Sequence, residues 1–279
     1  MFKRVGVAGV GLIGGSLALA ARSAGAEVVG YDRDPATLAR ARARGAIDRG
    51  AESLADLTRG FDLLVIALPL PDTLAVLHAL GTYAGPVIDV ASVKVPVRAA
   101  AAALPQFAGT HPMAGRELSG IDAADRALFT GATWAIDDAA PAALRRRLIP
   151  FVRSFGAEPL IISAADHDRL VALTSHLPQS VAVALGAQLA AIAAGDSNAA
   201  VLCGPGMRSM LRLARSPLAL WEPILRANAR PLAIELRALA ARLDAAAAEL
   251  EAGETAVLAS YFTAAGPIAS ELRQTGEGN

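Results

Sequence analysis

Short apolar runs alternate with Ala- and Arg-rich stretches up to about residue 165. This alternation is typical of β-α-β units that build a parallel sheet. Strands are predicted at Arg4–Ala8, Glu27–Tyr31, Leu63–Ala67, Pro86–Asp89, Phe107–Gly109, Thr133–Ile136 and Glu158–Ile162. Because helices are predicted in the gaps, residues 1–165 are expected to form an α/β domain with a doubly wound sheet.

The pattern changes near Asp166, where β-branched runs give way to long helical segments. These segments cover roughly His167–Ala194, Ala199–Ala214, Ala219–Ala252 and Glu254–Arg273. Residues 166–279 are therefore predicted to form an all-helical second domain. Leucines recur at helical spacings from Leu232 to Leu250, which predicts one amphipathic helix. Its Ala-rich remainder would let another helix approach closely, from a second subunit or from the same chain.

Composition favours a soluble protein. Hydrophobic residues make up 54% of the chain, yet Gly, Pro or charges interrupt the apolar runs before the ~20 residues of a membrane span. The 26 basic and 26 acidic residues balance, which leaves no global field to hold a polyanion such as DNA. The single cysteine, Cys203, fits a reducing compartment, and no signal-peptide pattern opens the chain. We expect a cytoplasmic protein that binds neither membranes nor nucleic acid.

A glycine turn follows the first predicted strand directly. Gly9, Gly11 and Gly14 form the pattern G-x-G-x-x-G, and an apolar helix begins behind them. The first glycine permits a tight turn, the second leaves room for a pyrophosphate, and the third lets helix and strand approach closely. Free N–H groups at the helix start then bind the phosphates. Strand, turn and helix in this order predict a Rossmann dinucleotide-binding domain.

Asp32 directly follows the second predicted strand, at the distance from the turn where an acidic residue binds the ribose diol. A carboxylate there accepts from the 2′-hydroxyl and repels a 2′-phosphate, so NAD is expected rather than NADP. Arg33 keeps NADP open, because a guanidinium could hold that phosphate. The expected cofactor contacts are Gly9, Gly11, Leu12, Ile13, Gly14, Asp32, Arg33, Leu68 and Ser92.

Two polar motifs follow the fourth and fifth predicted strands. Ser92 lies in Asp89–Lys94 (DVASVK), and His111 lies in Thr110–Gly115 (THPMAG). Ligands of an open parallel sheet bind at the carboxyl ends of its strands, so both side chains are expected beside a bound nicotinamide. Hydride removal from an alcohol leaves a proton, which a histidine can accept. His111, placed in a loop, is therefore the predicted catalytic base, and Ser92 orients it or the alcohol.

The other three histidines carry weaker signals. His78 lies within a predicted helix and is interpreted as structural. His167, between two aspartates, is interpreted mainly as structural and could tie the start of its helix. His176 precedes Pro178, which must kink a long helix, and its functional and structural interpretations stay equally open. Because the ligand spacing of a zinc site is missing, no metal is expected.

A basic pair lies further along the helical half. Arg208 and Arg212 stand four residues apart on a predicted helix, so they would share one face. On that face they could offer paired guanidinium groups to a carboxylate. A solvated basic face explains the same spacing, and the two interpretations stay open.

Together these motifs resemble the prephenate and arogenate dehydrogenase family of tyrosine biosynthesis over almost the whole chain. HPMAG and SHLP, in that order behind a Rossmann turn, are the most specific of them. The matching segments are GVGLIGGS (Gly9–Ser16), DVASVK (Asp89–Lys94), HPMAG (His111–Gly115), SGI (Ser119–Ile121), LFTG (Leu128–Gly131), ADHD (Ala165–Asp168), SHLP (Ser175–Pro178) and the stretch Gly206–Arg212 leading to Trp221 and Asn228.

The resemblance implies NAD-dependent oxidative decarboxylation of a cyclohexadienol, with a helical domain over 166–279 that binds substrate and forms a homodimer. In the family, a serine and a histidine contact the ring hydroxyl, and these correspond to Ser92 and His111. The family arginine that binds the substrate carboxylate falls on Arg212, which leaves Arg208 as a supporting charge. His111 would take the hydroxyl proton while C4 gives up hydride and C1 loses carbon dioxide.

Two positions depart from the family pattern. Gln179 stands where many prephenate-active members have His, and Ser209 stands where the family often has Asp. With His176, these positions resemble ones that border the substrate. Prephenate is the first expectation, and arogenate stays open as the alternative.

Two rival interpretations share the Rossmann start. Dehydrogenases of the hydroxyisobutyrate or 6-phosphogluconate type also carry a helical second domain, but their base is a lysine on a later helix. No lysine occurs after Lys94 in this chain. A nicotinamide-sensing protein with a degenerate site is the other rival, and intact Ser92, His111 and Arg212 argue against it.

Overall fold

Residues 2–116 and 118–276 are described by a computed structural model of the chain, and they divide into two units. The first unit comprises the residues up to Asp168 together with Pro217–Ala227. The second comprises Arg169–Ser216 and the residues from Asn228 onward. The sequence pattern indicated a single division after residue 165, whereas the chain returns to the first unit for one helix. Ile224 of that helix is buried in the sheet core, which explains the return.

Six strands form the large sheet of the first unit, in the order β3-β2-β1-β4-β5-β6. Every pairing between them is parallel. The strands are β1 (Arg4–Ala8), β2 (Glu27–Tyr31), β3 (Arg49–Gly50), β4 (Leu63–Ile66), β5 (Val87–Asp89) and β6 (Phe107–Ala108). This order is that of a doubly wound Rossmann sheet, with its reversal between β1 and β4. The predicted fold class is confirmed, although β3 was missed because its two residues carry no apolar run.

Helices cover both faces of this sheet, and two apolar clusters fill the space beneath them. The helices are α1 (Leu12–Ser23), α2 (Pro35–Ala43), α3 (Leu70–Ala79), α4 (Val95–Ala100), α5 (Ala142–Arg153) and α6 (Ala164–Val171), whose last residues open the second unit. Strand β4 shows why the strands are apolar throughout: Leu63 and Val65 join one cluster, and Leu64 and Ile66 join the other. Both faces of a parallel strand are buried in such a fold, so no polar alternation is left.

A second, smaller sheet follows β6, and here the expectation of one parallel sheet is wrong. Its strands are β7 (Thr110–Pro112), β8 (Thr133–Asp137) and β9 (Glu158–Ile162). Strand β7 runs antiparallel to β8, with His111 opposite Ala135. The predicted strand ending at Gly109 stops at Ala108, because the Gly109 carbonyl accepts a hydrogen bond from the Asp137 N–H group at 2.8 Å. His111 therefore lies within a short strand rather than in a loop.

The second unit is helical, as predicted, but two of its helices are interrupted. The helices are α7 (Leu177–Ala193), α8 (Asn198–Val201), α9 (Pro205–Met210), α10 (Leu218–Ala227), which belongs to the first unit, α11 (Ala229–Glu251) and α12 (Ala256–Gly276). The predicted helix Ala199–Ala214 breaks before Pro205, whose ring disfavours a helical residue in front of it. The predicted helix Ala219–Ala252 breaks at Asn228, whose backbone leaves the helical region.

A π-helical turn over Ala172–His176 lies directly before α7, close to Pro178, where a kink was expected. Such wide turns absorb an extra residue within a helix. The continuous run Ala164–Ala193 is long and apolar enough, by length and composition, to cross a membrane, and 33% of its most apolar window is buried in the protein. One helix of this kind is weak evidence for a membrane span, because core helices pass the same test.

Candidate active site

The glycine turn between β1 and α1 leaves an open cradle. Gly9 has φ +88°, a left-handed conformation that favours glycine, and a Cβ there would lie 2.3 Å from the Ala67 carbonyl oxygen. A Cβ on Gly14 would lie 1.9 Å from the Gly9 carbonyl oxygen. A Cβ on Gly11 meets no described atom within 4 Å. The turn therefore excludes side chains where it is tight and leaves space beside the helix start, as a bound pyrophosphate requires.

Five of the expected cofactor residues line one cleft of about 340 Å³: Gly9, Gly11, Asp32, Arg33 and Leu68. The remaining lining residues are Tyr31, Ala67, Pro69 and Asp72. Outside this lining, Leu12 and Ile13 lie in the first turn of α1, where Ile13 packs against the sheet core, and Gly14 is buried. Ser92 lies in the loop between β5 and α4.

Asp32 is held in place at the rim of this cleft. One of its carboxylate oxygens accepts from the Val10 N–H group and the other from the Asp34 N–H group, each at 3.1 Å. Asp72, which sequence reasoning missed, brings a second carboxylate into the same cleft. Two carboxylates suit a neutral ribose diol and repel a phosphate. The cleft beside the glycine turn carries two carboxylates, Asp32 and Asp72, and one guanidinium, Arg33.

A buried ion pair fastens the loop after β5 to strand β7. The Lys94 ammonium donates to the Asp89 carboxylate and, at 2.6 Å, to the Thr110 carbonyl oxygen. The Thr110 N–H group donates to the other Asp89 oxygen at 3.1 Å. Burial raises the pKa of Asp89 and lowers the pKa of Lys94, while their mutual attraction opposes both shifts. These contacts fix the backbone on which Ser92 and His111 stand.

His111 begins a hydrogen-bonded triad with His167 and Asp168. Its Nδ1 atom lies 2.9 Å from Nε2 of His167, and Nδ1 of His167 lies 2.8 Å from a carboxylate oxygen of Asp168. His167 and Asp168 are each only 3% exposed. The Asp168 carboxylate also accepts from the N–H groups of Lys94 at 2.6 Å and Val95 at 2.8 Å. The triad therefore joins strand β7, helix α6 and the start of helix α4.

The expected substrate residues of the second unit differ in burial. His176 is 1% exposed, and its Nδ1 atom lies 3.1 Å from the amide nitrogen of Asn228. Gln179 is 3% exposed and donates to the Leu213 carbonyl oxygen at 3.0 Å. Arg208, Ser209 and Arg212 are exposed.

The prediction that Arg208 and Arg212 share one helix face is wrong. Helix α9 ends at Met210, and the Arg212 N–H group bonds to the Ser209 carbonyl oxygen, three residues back. The tighter turn of such bonding rotates residues four apart away from each other. Among the described residues, no group of three or more His, Cys, Asp or Glu side chains is arranged to hold a metal ion.

Two family models match this chain one behind the other. The nucleotide-binding domain of prephenate dehydrogenase matches residues 17–146, and the dimerization domain of prephenate dehydrogenase matches residues 163–264. The chain belongs to the prephenate dehydrogenase family. The first match contains Ser92 and His111, and the second contains Arg212, so the family assignment spans both units.

A curated relative supports the same assignment. The probable prephenate dehydrogenase NovF of Streptomyces niveus is 34% identical over 239 residues, which cover 82% of this chain and 64% of the relative. The chain spans less than two thirds of the length of the first curated relatives that it matches.

Solved structures of the family share the fold. Arogenate dehydrogenase from Synechocystis has a TM-score of 0.80 at 27% identity, over 96% of this chain and 99% of that one. Prephenate dehydrogenase from A. aeolicus, in complex with hydroxyphenyl propionate and NAD+, has a TM-score of 0.89 at 23% identity, over 98% of this chain and 99% of that one.

Sequence reasoning missed several residues in this member of the prephenate dehydrogenase family. His167 was interpreted as a possible tie for its helix start, but Ser163 and Asp166 form that tie, with the serine hydroxyl donating at 2.8 Å. The signal that could have identified His167 and Asp168 is a histidine flanked by two carboxylates within the ADHD motif. No local signal identified Asp89 and Lys94 as a buried pair, because their partner Thr110 is distant in sequence.

Proposed function

We propose that this protein is an NAD-dependent prephenate dehydrogenase, which converts prephenate to 4-hydroxyphenylpyruvate and carbon dioxide in tyrosine biosynthesis. The observation that carries the proposal is the position of Ser92 and His111. They follow the carboxyl ends of β5 and β6 in the same unit that contains the glycine cradle. In doubly wound sheets this end of the strands is the ligand side.

Two side chains, His111 and Ser92, have defined roles in the proposed reaction. NAD, when bound, supplies the acceptor for the hydride that leaves C4 of the substrate. His111 accepts the proton of the C4 hydroxyl group, and the Ser92 hydroxyl group orients that hydroxyl. The bond from C1 to the carboxyl carbon breaks, carbon dioxide leaves, and the electron pair completes the aromatic ring as a phenolate, which takes the proton back from His111. Because aromatisation supplies the driving force, the protein needs only to position the substrate and accept one proton.

The expected preference for NAD rests on the two carboxylates of the cofactor cleft. The Asp32 oxygens are prepared to accept from a ribose diol, and Asp72 adds negative charge to the same cleft. The exposed Arg33 side chain at the rim is the one cation of the lining that could offset them. We expect a 2′-phosphate to bind poorly against this charge balance.

A steady-state assay of prephenate and arogenate, each with NAD and NADP, tests the proposal. We expect the highest kcat/KM for prephenate with NAD. A higher kcat/KM for arogenate would reassign the substrate, and a higher value with NADP would reassign the cofactor. Absence of turnover in all four combinations, with a protein that is folded by circular dichroism, would contradict the proposed activity.

Arogenate is the second candidate substrate, and Gln179 is the observation that favours it. The amide oxygen of Gln179 is buried and has no hydrogen-bond partner within the described residues. An amide oxygen accepts from an ammonium group, such as that of arogenate, whereas the keto oxygen of prephenate could only face it as a second acceptor. The four-way assay separates the two substrates.

Replacing Arg212 with Leu is expected to raise KM for prephenate by about 10- to 100-fold, because a hydrogen bond to a charged group is worth about 1.5–3 kcal/mol. We expect a smaller change in kcat, since the carboxylate anchor acts on substrate binding. Steady-state kinetics measure both constants. Arg215→Leu, in the same exposed stretch, is the matched control and should leave KM near its original value. An unchanged KM in Arg212→Leu would remove this residue from the site.

We also propose a cytoplasmic homodimer that associates through the helical unit. On α11, Leu236, Leu243 and Leu250 recur every seven residues and are exposed, which leaves one apolar stripe on that helix. An exposed apolar stripe of this kind marks a protein contact. Light scattering should give twice the chain mass, and a monomeric mass at all concentrations would contradict the dimer.

A further inference from the structure

We propose that Asp168 and His167 are positioning residues that fix the tautomer of His111 and stabilise its protonated form. This inference rests on the proposed function, in which His111 accepts the proton from the substrate. It goes beyond that function by assigning a role to two buried residues behind His111. Their geometry supports a single direction of hydrogen bonding.

Asp168 determines which ring nitrogen of His167 is the donor. As a carboxylate, this side chain only accepts hydrogen bonds, and it accepts from the Lys94 and Val95 N–H groups. The His167 Nδ1 atom, 2.8 Å from the carboxylate, must therefore carry its hydrogen. The two N–H groups at the start of α4 hold the carboxylate, so Asp168 cannot turn away from His167.

His167 in turn determines which ring nitrogen of His111 is the donor. A neutral imidazole has one N–H group, so with the hydrogen on Nδ1, Nε2 of His167 is an acceptor. Its partner at 2.9 Å, Nδ1 of His111, must then be the donor. Nε2 of His111 is left with its lone pair, which is the form that a general base needs.

The triad has a second effect once His111 accepts its proton. The imidazolium carries a positive charge, and the fixed negative charge of Asp168 stabilises it through His167. No proton has to move along the triad, because the substrate proton stays on Nε2 of His111. Burial strengthens this attraction, since both positioning residues are 3% exposed and little water screens them.

Nitrogen NMR of the full chain labelled with 15N-histidine reads the tautomer directly, and the chain has only four histidines. We expect two neutral histidines, His111 and His167, with hydrogen on Nδ1 and none on Nε2, and the signal of His111 should vanish in His111→Asn. In His167→Phe, the His111 signal should change to the form with hydrogen on Nε2, which a free imidazole side chain prefers. Fewer than two histidines with hydrogen on Nδ1 in the unchanged protein would overturn the inference, and this reading requires no variant to fold.

Kinetics provide the second readout. We expect His167→Phe to lower kcat by about 100-fold, with KM values for substrate and NAD within about two-fold of the original, because tautomer and orientation act on the proton transfer alone. His78→Phe, an exposed histidine outside the triad, is the matched control and should retain kcat. An unchanged kcat in a folded His167→Phe variant would overturn the inference.

The NMR measurement and the turnover assay distinguish a failure of the inference from a failure of the proposed function. If the unchanged protein turns over neither prephenate nor arogenate, the proposed function fails. The NMR reading still decides whether Asp168 and His167 fix His111. If turnover is present and Nε2 of His111 carries hydrogen, the function stands and the triad fails.

Discussion

Replacing His111 with Asn should lower kcat by about 10²–10⁴-fold and leave NAD binding near its original strength. The amide cannot accept a proton at neutral pH, so the general-base contribution is lost. NAD binding should persist, because the cleft with Gly9, Gly11 and Asp32 is built without His111. Steady-state turnover gives kcat, and calorimetric titration with NAD gives the dissociation constant.

The comparison requires a variant that changes a histidine elsewhere. His78 lies on the exposed side of α3, so His78→Asn should keep both turnover and NAD binding. Turnover of His111→Asn equal to that of the His78 control would exclude His111 as the base. A joint loss of turnover and NAD binding would indicate a folding defect, which circular dichroism would identify.

Replacing Lys94 with Met should destabilise the protein by about 3–5 kcal/mol, a large part of the roughly 5–15 kcal/mol that holds a domain together. The Lys94 side chain is 2% exposed and the Asp89 side chain is completely buried, so the variant leaves a carboxylate without its cation. Thr110 also loses the hydrogen bond to its carbonyl oxygen. Urea unfolding of both proteins measures the difference in free energy.

Lys3 is the matched control, because it is exposed, and Lys3→Met should change stability by at most about 0.5 kcal/mol. The double variant Lys94→Met with Asp89→Leu should recover much of the loss, since it removes both buried charges. A loss in Lys94→Met no larger than in Lys3→Met would show that the buried pair contributes little.

The Lys94→Met variant should also respond to pH in a defined direction. Burial already raises the pKa of Asp89 in the presence of Lys94, and removal of the cation raises it further. A raised pKa in the folded state means that folding favours the protonated carboxyl group. The variant should therefore be least impaired at acid pH, near the unfolded value of about 3.9, and should lose stability as the pH rises.

The sequence predicted best where neighbouring residues determine the structure. The glycine turn needs only Gly9, Gly11 and Gly14 between a strand and a helix, and it forms as expected. The apolar runs of β1 and β2 match the observed strands in full, because each strand is buried on both faces. Local composition carries this information without reference to distant residues.

Prediction failed where distant partners decide the structure. Asp168 accepts from a backbone N–H group 74 residues away, and no periodicity shows that contact. His111 was expected in a loop, but pairing with β8 draws it into a strand. The helix predicted around Arg212 ended early at Met210, because helical composition does not determine where tighter bonding begins.

The central claim is that one active site removes hydride and carbon dioxide from the same substrate molecule with His111 as the base. The most direct test measures NADH and carbon dioxide together while the unchanged protein and His111→Asn act on prephenate with NAD. The unchanged protein should produce the two in equal amounts at every time, and His111→Asn should produce almost none of either. NADH formation without carbon dioxide, or equal rates in both proteins, would contradict the claim.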